Sequence, residues 1–368
     1  MKSRIAAILT VVLCLLLSQP VVAVDVEEEQ AAALGLEEIP EALTEEAEEF
    51  MDGVSVADST EAADEVLERL RESALKGLRT YLGESMQSAV SMLAVTLLCA
   101  VGLAADSGGR VGQCILLAGV AGIAAVAAGD MNSILHKGLD TLHQLLDFSR
   151  VLLPSLTAAA ASSGAISSAA AKYAVTALYM DILMGLSSAV VMPAVCGYTA
   201  LIIANAAADG QVLTGAVKCV KWLCVTLLTI LTLAFTVYLS VTGIVIGSAD
   251  AMTTRLAKTA VSSALPVVGS ILSDAAGTLA AGFSTLRGAI GVFGMLAILA
   301  ICLTPFLQLG VQYLLYKATA ALAACVSDSR LAALIDGLGT AFGMILAVIG
   351  CGAAFLFISF YSLIRMVT

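Results

Sequence analysis

Long apolar runs separated by short polar breaks make up most of the chain, and they predict membrane-spanning helices. A transmembrane helix needs about 20 mostly apolar residues. Six runs meet this condition, namely Met86–Ala105, Val111–Ala128, Thr176–Ala207, Trp222–Ser248, Gly288–Leu309 and Leu338–Met366. The apolar stretch Val311–Val326 leaves room for a seventh span. The pattern therefore predicts an all-α polytopic membrane protein with six or seven transmembrane helices.

The first residues have the pattern of a secretory signal peptide. Lys2 and Arg4 precede the apolar run Ile5–Leu17, and Ser18-Gln19-Pro20 and Val21-Val22-Ala23 follow. A charged start, a short apolar stretch and a small-residue cleavage site are typical of such peptides. We therefore predict a signal peptide over residues 1–23, with an uncleaved membrane anchor as the alternative. In both cases the next segment is exported from the cytoplasm.

An acidic segment follows the signal peptide, over residues 24–82. Between Val24 and Asp58 it is rich in glutamate and poor in aromatic residues, a composition that favours disorder or a loose helix. From Thr60 to Leu82 apolar residues recur every three or four positions, which predicts an amphipathic helix. The segment is either an extracytoplasmic docking arm for a partner or a solvated spacer.

The composition supports lipid as the main solvent of the remaining chain. The 368 residues are 60% hydrophobic and 13% charged, whereas soluble domains are about a quarter charged. The net charge of −11 comes from the acidic segment, because 18 acidic and four basic residues lie between Val24 and Thr80. The rest of the chain is close to neutral and has no basic region suited to nucleic acid.

Four prolines beyond the acidic segment indicate an internal duplication. They form two pairs with the same spacing of 39 residues, offset from each other by 112 residues. The pairs are Pro154 with Pro193 and Pro266 with Pro305. This spacing predicts two membrane repeats, over residues 130–241 and 242–368, after a transmembrane hairpin over residues 83–129. A chance coincidence of the prolines is the alternative.

Each predicted repeat contains a run of small residues after its first proline. Ala158–Ala171 includes Gly164, and Gly269–Ser284 includes Gly269 and Gly277. Small residues let helices approach closely, and broken segments of this kind form binding sites in transporters built from repeats. The runs are therefore candidates for re-entrant hairpins or a pathway, with tight helix packing as the alternative.

Asp181 is a candidate functional residue because it stands in the otherwise apolar stretch Ala174–Ala207. An ionisable side chain inside a membrane is costly and often functional. Its position near the start of the stretch equally fits a residue at the membrane interface. Lys172 and Arg150 are its candidate partners.

His136, Asp140 and His143 recur at the spacing of one helix face. Such a face could hold a metal ion, but a leucine stripe runs beside it, which favours an interfacial amphipathic helix. No phosphate-binding loop, Ser/His/Asp set, zinc-protease signature or C-x-x-C pair occurs in the sequence. We therefore predict no enzymatic activity, no cofactor and no metal centre.

Three segments in the second half of the chain resemble a known family. They are Lys258–Thr278 with KTAVSSALPVVGSILSDAAGT, Leu286–Gly294 with LRGAIGVFG, and Leu303–Leu322 with LTPFLQLGVQYLLYKATAAL. With the signal peptide, the acidic segment and Leu153-Pro154, they resemble the stage III sporulation protein AE family of endospore-forming Firmicutes. The segment around Pro266 is the most specific part of the resemblance. The family has no established catalytic residues to carry over.

The resemblance implies a cellular setting. Members of the family are expected in the mother-cell membrane around the forespore, with a secretion-type ATPase and ring-forming subunits of the same operon as partners. This group is expected to meet stage II sporulation protein Q across the intermembrane space. The resemblance implies the membrane core of a channel-like complex that sustains late forespore gene expression. A stand-alone secondary transporter and a non-conducting assembly scaffold are the alternatives.

Overall fold

The computed structural model describes residues 34–36, 38–105, 110–162, 166–208, 213–237 and 268–364. Nine α-helices form this part of the chain. They are α1 (Glu38–Glu41), α2 (Glu45–Met51), α3 (Ser59–Ala105), α4 (Arg110–Ser162), α5 (Ile166–Leu186), α6 (Met192–Ala207), α7 (Thr214–Val237), α8 (Val268–Val326) and α9 (Ser329–Ile364). A π-helix, Ser187–Val191, joins α5 to α6 without a break.

Six helical units in the described residues are long and apolar enough to cross a membrane. They are α3, α4, α5 with α6, α7, α8 and α9. The prediction of an all-α polytopic membrane protein is therefore confirmed. Gly288–Leu309 and Val311–Val326, which the sequence allowed as two spans, lie within the single continuous helix α8.

Successive helices run in opposite directions along one bundle. Cys99 Sγ of α3 contacts the Ile115 carbonyl of α4. The end of α3 therefore lies beside the start of α4, as in a helical hairpin. Thr176 of α5 bonds to Ser359 of α9, whereas Tyr198 of α6 lies near Asp336 of α9, so this pair is antiparallel. The end of α3, the end of α6 and the turn between α8 and α9 consequently lie at one end of the bundle.

Helices α8 and α9 form the centre of the bundle. In their most apolar windows, 61% of the α8 residues and 50% of the α9 residues are buried, against 17% in α7. The two helices pack closely because glycines of α9 face aromatic rings of α8. A Cβ atom at Gly343 would lie only 3.0 Å from the Tyr313 ring. Gly343 therefore lets α9 approach α8 closely.

The outside of the bundle has an apolar zone and a polar zone, which follow each other along the helix axes. Helix α7 exposes a series of large apolar side chains, including Trp222, Ile230, Leu233 and Val237, as a lipid-facing helix does. The first half of α3 and the middle of α4 instead carry charged residues, such as the ion pair between Arg69 and Glu65 at 2.7 Å. These charged segments of α3 and α4 remain helical because their other sides pack on α8 and α9.

Of the two expectations between Val24 and Asp58, disorder or a loose helix, the described part shows short helices that pack on the bundle. Leu34, Leu36, Ile39, Ala47, Met51 and Val56 are buried in the common core. Thr44 begins α2 by accepting a hydrogen bond from the Ala47 amide at 3.2 Å, as N-cap residues do. Composition misses this packing because the few apolar residues are spaced to meet α4 and α8.

The predicted amphipathic helix from Thr60 to Leu82 is observed, but it does not end before the membrane. It is the first half of α3, which continues to Ala105. Ser59 Oγ donates a hydrogen bond to the Ala289 carbonyl of α8 at 2.7 Å, and Ser85 bonds to Gln312 further along the same helix. Helices α3 and α8 therefore run parallel and in contact over this length. The predicted signal peptide lies outside the described residues.

The predicted repeats and re-entrant hairpins stay predictions. The small-residue run Ala158–Ala171 covers the end of α4 and the start of α5, with residues 163–165 outside the described part. The run Gly269–Ser284 lies within the first turns of α8.

Candidate functional site

The proline and glycine candidates that the structure describes lie in three helices. Pro154 and Pro305 lie inside α4 and α8. Pro193 lies in the first turn of α6, directly after the π-helix, where the Met192 amide bonds to the Ser187 carbonyl. Gly269 and Gly277 lie in α8. Gly164 and Pro266 lie outside the described residues.

Pro305 interrupts the hydrogen bonds of α8 in the middle of the bundle. Proline has no N–H group, so the carbonyl of Ile301, four residues earlier, loses its helical donor. The side chain of Pro305 is buried, and an open cavity of about 470 Å³ adjoins this point. We call it the Pro305 cavity.

Most residues around the Pro305 cavity are polar, although the protein is mostly apolar. Three elements contribute them, namely α4, α8 and the start of α2. They are Thr44, Glu45, Glu46, Lys137, Asp140, Thr141, Gln144, Thr304 and Gln308, beside Ile301 and Pro305. Carboxylates outnumber ammonium groups, so the cavity suits cations or neutral polar solutes better than anions.

The polar lining continues from the cavity along the contact between α4 and α8. Lys137 Nζ donates to Gln308 Oε1 at 2.7 Å. Further along, Gln312 Nε2 and the Tyr316 hydroxyl both donate to Asp130 Oδ2 at 2.7 Å. We call these five residues, Asp130, Lys137, Gln308, Gln312 and Tyr316, the polar seam.

The polar seam runs from Lys137, which is exposed, into the core of the bundle. Tyr316 is fully buried, and Gln312 is only 4% exposed. Ser85 of α3 donates to the Gln312 side-chain oxygen, so three helices meet at this amide. Buried polar groups in a low-dielectric interior are stable only when their hydrogen bonds are satisfied. The seam therefore fixes the relative positions of α3, α4 and α8.

The sequence contained a signal for this seam that was missed. Gln308, Gln312 and Tyr316 recur every four residues on one side of an apolar helix, and residues four apart share a helix face. Asp130 follows the apolar run Val111–Ala128 after a single glycine, at the start of the predicted repeat over residues 130–241. Only the packing of α4 on α8 brings these groups together.

Asp181 lies outside the polar seam, at the surface of the bundle. Its Oδ1 lies 3.1 Å from Arg150 Nη2, and both side chains are more than half exposed. Lys172, the other candidate partner, is instead buried and donates to Ser362 Oγ at 2.6 Å and to the Ser362 carbonyl at 3.1 Å. The observed partner of Asp181 is thus Arg150, in an exposed ion pair rather than in the interior.

The histidine face of α4 shows no metal geometry. His143 Nδ1 lies 3.0 Å from the Leu139 carbonyl of its own helix. Within the described ranges, no group of three or more histidine, cysteine, aspartate or glutamate side chains could hold a metal ion.

Comparison with known proteins places the chain in a family. A family model described as stage III sporulation protein AE matches residues 47–366. A stage III sporulation protein AE of Bacillus subtilis (strain 168) is 24% identical over 197 residues, which cover 54% of this chain and 49% of the relative. The match thus spans about half the length of that relative. No solved structure matches the chain. The apolar multi-span bundle described above therefore belongs to the stage III sporulation protein AE family.

Proposed function

We propose that this protein is the polytopic membrane core of a channel-like complex between the mother cell and the forespore. Membership of the family supports a role in sporulation. The observation that carries the channel proposal is the polar seam with its cavity, at the end of the apolar spans where α2 meets α4 and α8. Polar groups buried between the helices of a membrane protein, as Gln312 and Tyr316 are, are costly and commonly mark pathways. In this proposal the Pro305 cavity and the seam form part of a route for small polar solutes that sustain late forespore gene expression.

The proposed location is the mother-cell membrane that surrounds the forespore, with the N-terminal arm outside the cytoplasm. Lys218, Lys221 and Arg330 lie toward the end of the bundle that holds the turn between α8 and α9. Basic residues near span ends favour the cytoplasmic side. The acidic helix α2 packs away from this end, beside Pro305.

The proposed partners are the secretion-type ATPase and the ring-forming subunits of the same operon, with stage II sporulation protein Q as an indirect partner. The acidic surface of α2 and of the first half of α3 would face the ring subunits. The energy would come from the ATPase, because the sequence of this chain has no nucleotide-binding motif.

The test of this proposal is to block the Pro305 cavity in a spore-forming host. Gln144 lines the cavity and is partly exposed, so Gln144→Trp fills it without removing a core residue. Late forespore reporter expression and spore yield should fall to near the level of a deletion strain. The control is His143→Trp on the adjacent exposed position, which should leave both at the normal level. Immunoblots confirm that both variants accumulate in the membrane.

Two other results would replace the proposal. Normal reporter expression in Gln144→Trp cells would favour the non-conducting scaffold. Solute-dependent ion flux in liposomes that contain this protein alone, lost in Asp181→Asn, would favour the stand-alone transporter.

A further inference from the structure

A second cavity opens on the opposite side of α8, between α7, α8 and α9. Its volume is about 620 Å³, and most of its wall is apolar. Val225, Leu228 and Leu233 of α7 form one side, and Met344, Leu346 and Ala347 of α9 form the other. Because α7 exposes its apolar side chains, this groove opens toward lipid. None of its residues belongs to the polar seam.

Positive charge is confined to one end of the groove. Lys221 and Lys317 line that end, near Thr340. Lys317 Nζ is already bonded to Asp336 Oδ1 at 2.7 Å and to Thr340 Oγ1 at 2.9 Å. Lys221 is exposed, and no ion pair within the described part of the chain involves it. One ammonium group therefore remains open to an anion at this end.

The length of the groove matches one leaflet of a bilayer. Its wall on α9 extends from Thr340 to Cys351, which is about 16 Å at the rise of an α-helix. The hydrocarbon core of a bilayer is about 30 Å thick, so one leaflet provides about half of this. At the far end Thr232 Oγ1 contacts Cys351 Sγ at 3.6 Å.

The charged end also lies at the expected depth of lipid headgroups. Trp222 follows Lys221 and is 64% exposed. Tryptophan side chains concentrate at the boundary between hydrocarbon and water, and basic residues flank the spans on the cytoplasmic side. Basic pockets between transmembrane helices bind the headgroups of anionic lipids.

We propose that this groove binds one acyl chain of an anionic phospholipid, with the lipid phosphate held by Lys221. Lys317 and Thr340 form the floor of the headgroup end, and the side chains of α7 and α9 enclose the chain. The site is independent of the Pro305 cavity, so the channel proposal can fail while this one stands.

The experiment measures lipid retained by the full-length protein. The protein is incorporated into vesicles of equal parts phosphatidylglycerol and phosphatidylcholine, extracted in mild detergent, and analysed by native mass spectrometry. The wild-type protein should retain phosphatidylglycerol in preference to phosphatidylcholine. Lys221→Ala should lower this preference about fivefold, as expected for one basic residue at an anionic surface.

Two further variants separate the headgroup from the acyl chain. Ala347→Trp fills the groove without changing charge, so it should lower retention of both lipids. Lys76→Ala removes an exposed lysine from α3, outside the groove, and should change neither. Equal retention of both lipids by the wild-type protein, or an unchanged preference in Lys221→Ala, would overturn the proposal. Lys221 is exposed, so its replacement tests binding without risk to the fold.

Discussion

At the scale of single residues, glycine decides how closely the long helices approach. Gly294 of α8 lies against Leu152 of α4 and Phe360 of α9. An added Cβ atom would overlap the Leu152 side chain and lie 2.9 Å from the Phe360 ring. Gly288, two turns earlier on the same helix, has no neighbour within 4 Å of such an atom. The two positions therefore differ in packing while sharing one helix.

Gly294→Ala is expected to lower the free energy of unfolding by about 1–3 kcal/mol, the usual cost of overpacking a dense core. The measurement is reversible unfolding in mixed detergent micelles followed by circular dichroism.

Gly288→Ala is the matched control, and it should be neutral or slightly stabilising because alanine favours helix more than glycine does. Equal stability of the two variants would show that α4, α8 and α9 do not meet at Gly294.

Residue types alone pointed to some groups and missed others. Asp181 was visible because it stands alone in an apolar stretch, yet it forms an exposed pair with Arg150. Asp130 was not identified, because it stands next to the end of an apolar run, yet it accepts two hydrogen bonds inside the bundle. Hydropathy ranks a residue by its neighbours in sequence, whereas burial depends on which helix packs against it.

At the scale of elements, the apolar stretches identified the spans but not their full length. The helices α3 and α4 continue through charged segments that hydropathy assigns to water. They do so because helix propensity and one-sided packing against α8 and α9 persist after the apolar run ends. The same effect merges two predicted spans into α8. Pro305 is consequently an interruption inside one element, not a border between two.

Pro305→Ala is expected to close the Pro305 cavity partly, because alanine restores the donor to the Ile301 carbonyl and removes the proline ring from α8. The measurement is the rate of maleimide modification of Gln144→Cys in a protein whose nine native cysteines have been replaced. The rate should fall several-fold.

Pro154→Ala provides the control for this measurement. Pro154 is exposed and lies inside α4, away from the cavity lining, so its replacement should leave the rate at Gln144→Cys unchanged. A rate that is the same in Pro305→Ala and in the parent protein would contradict the assigned role of Pro305.

At the scale of the whole molecule, alternating helix directions agree with the distribution of charge. The basic residues Lys218 and Arg330 line one cavity at the end of α6 and the start of α9. The acidic helix α2 packs at the level of Pro305, away from that cavity. The six apolar spans and their order could be predicted from sequence, which also left a seventh span open. The packing of the acidic segment onto the bundle could not, since it depends on six scattered apolar side chains.

Single-cysteine labelling with a membrane-impermeant maleimide tests this orientation in intact cells. Glu49→Cys in α2 should react before permeabilisation, and Lys218→Cys in α7 only after it. Both positions are exposed in the bundle, so a difference in reactivity reports the side of the membrane. Reaction of Lys218→Cys in intact cells would show that the orientation is inverted.

Because Pro305 lies inside α8, a change in backbone angle at this residue moves the whole segment that precedes it. The segment from Val268 to Pro305 is about 55 Å long at the helical rise per residue. A change of about 5° in the bend at Pro305 therefore displaces the first turn of α8 by about 5 Å, close to one helical turn. The packing of Gly294 against Leu152 and Phe360 resists such a change, so Gly294 and Pro305 together set the direction of the first turns of α8.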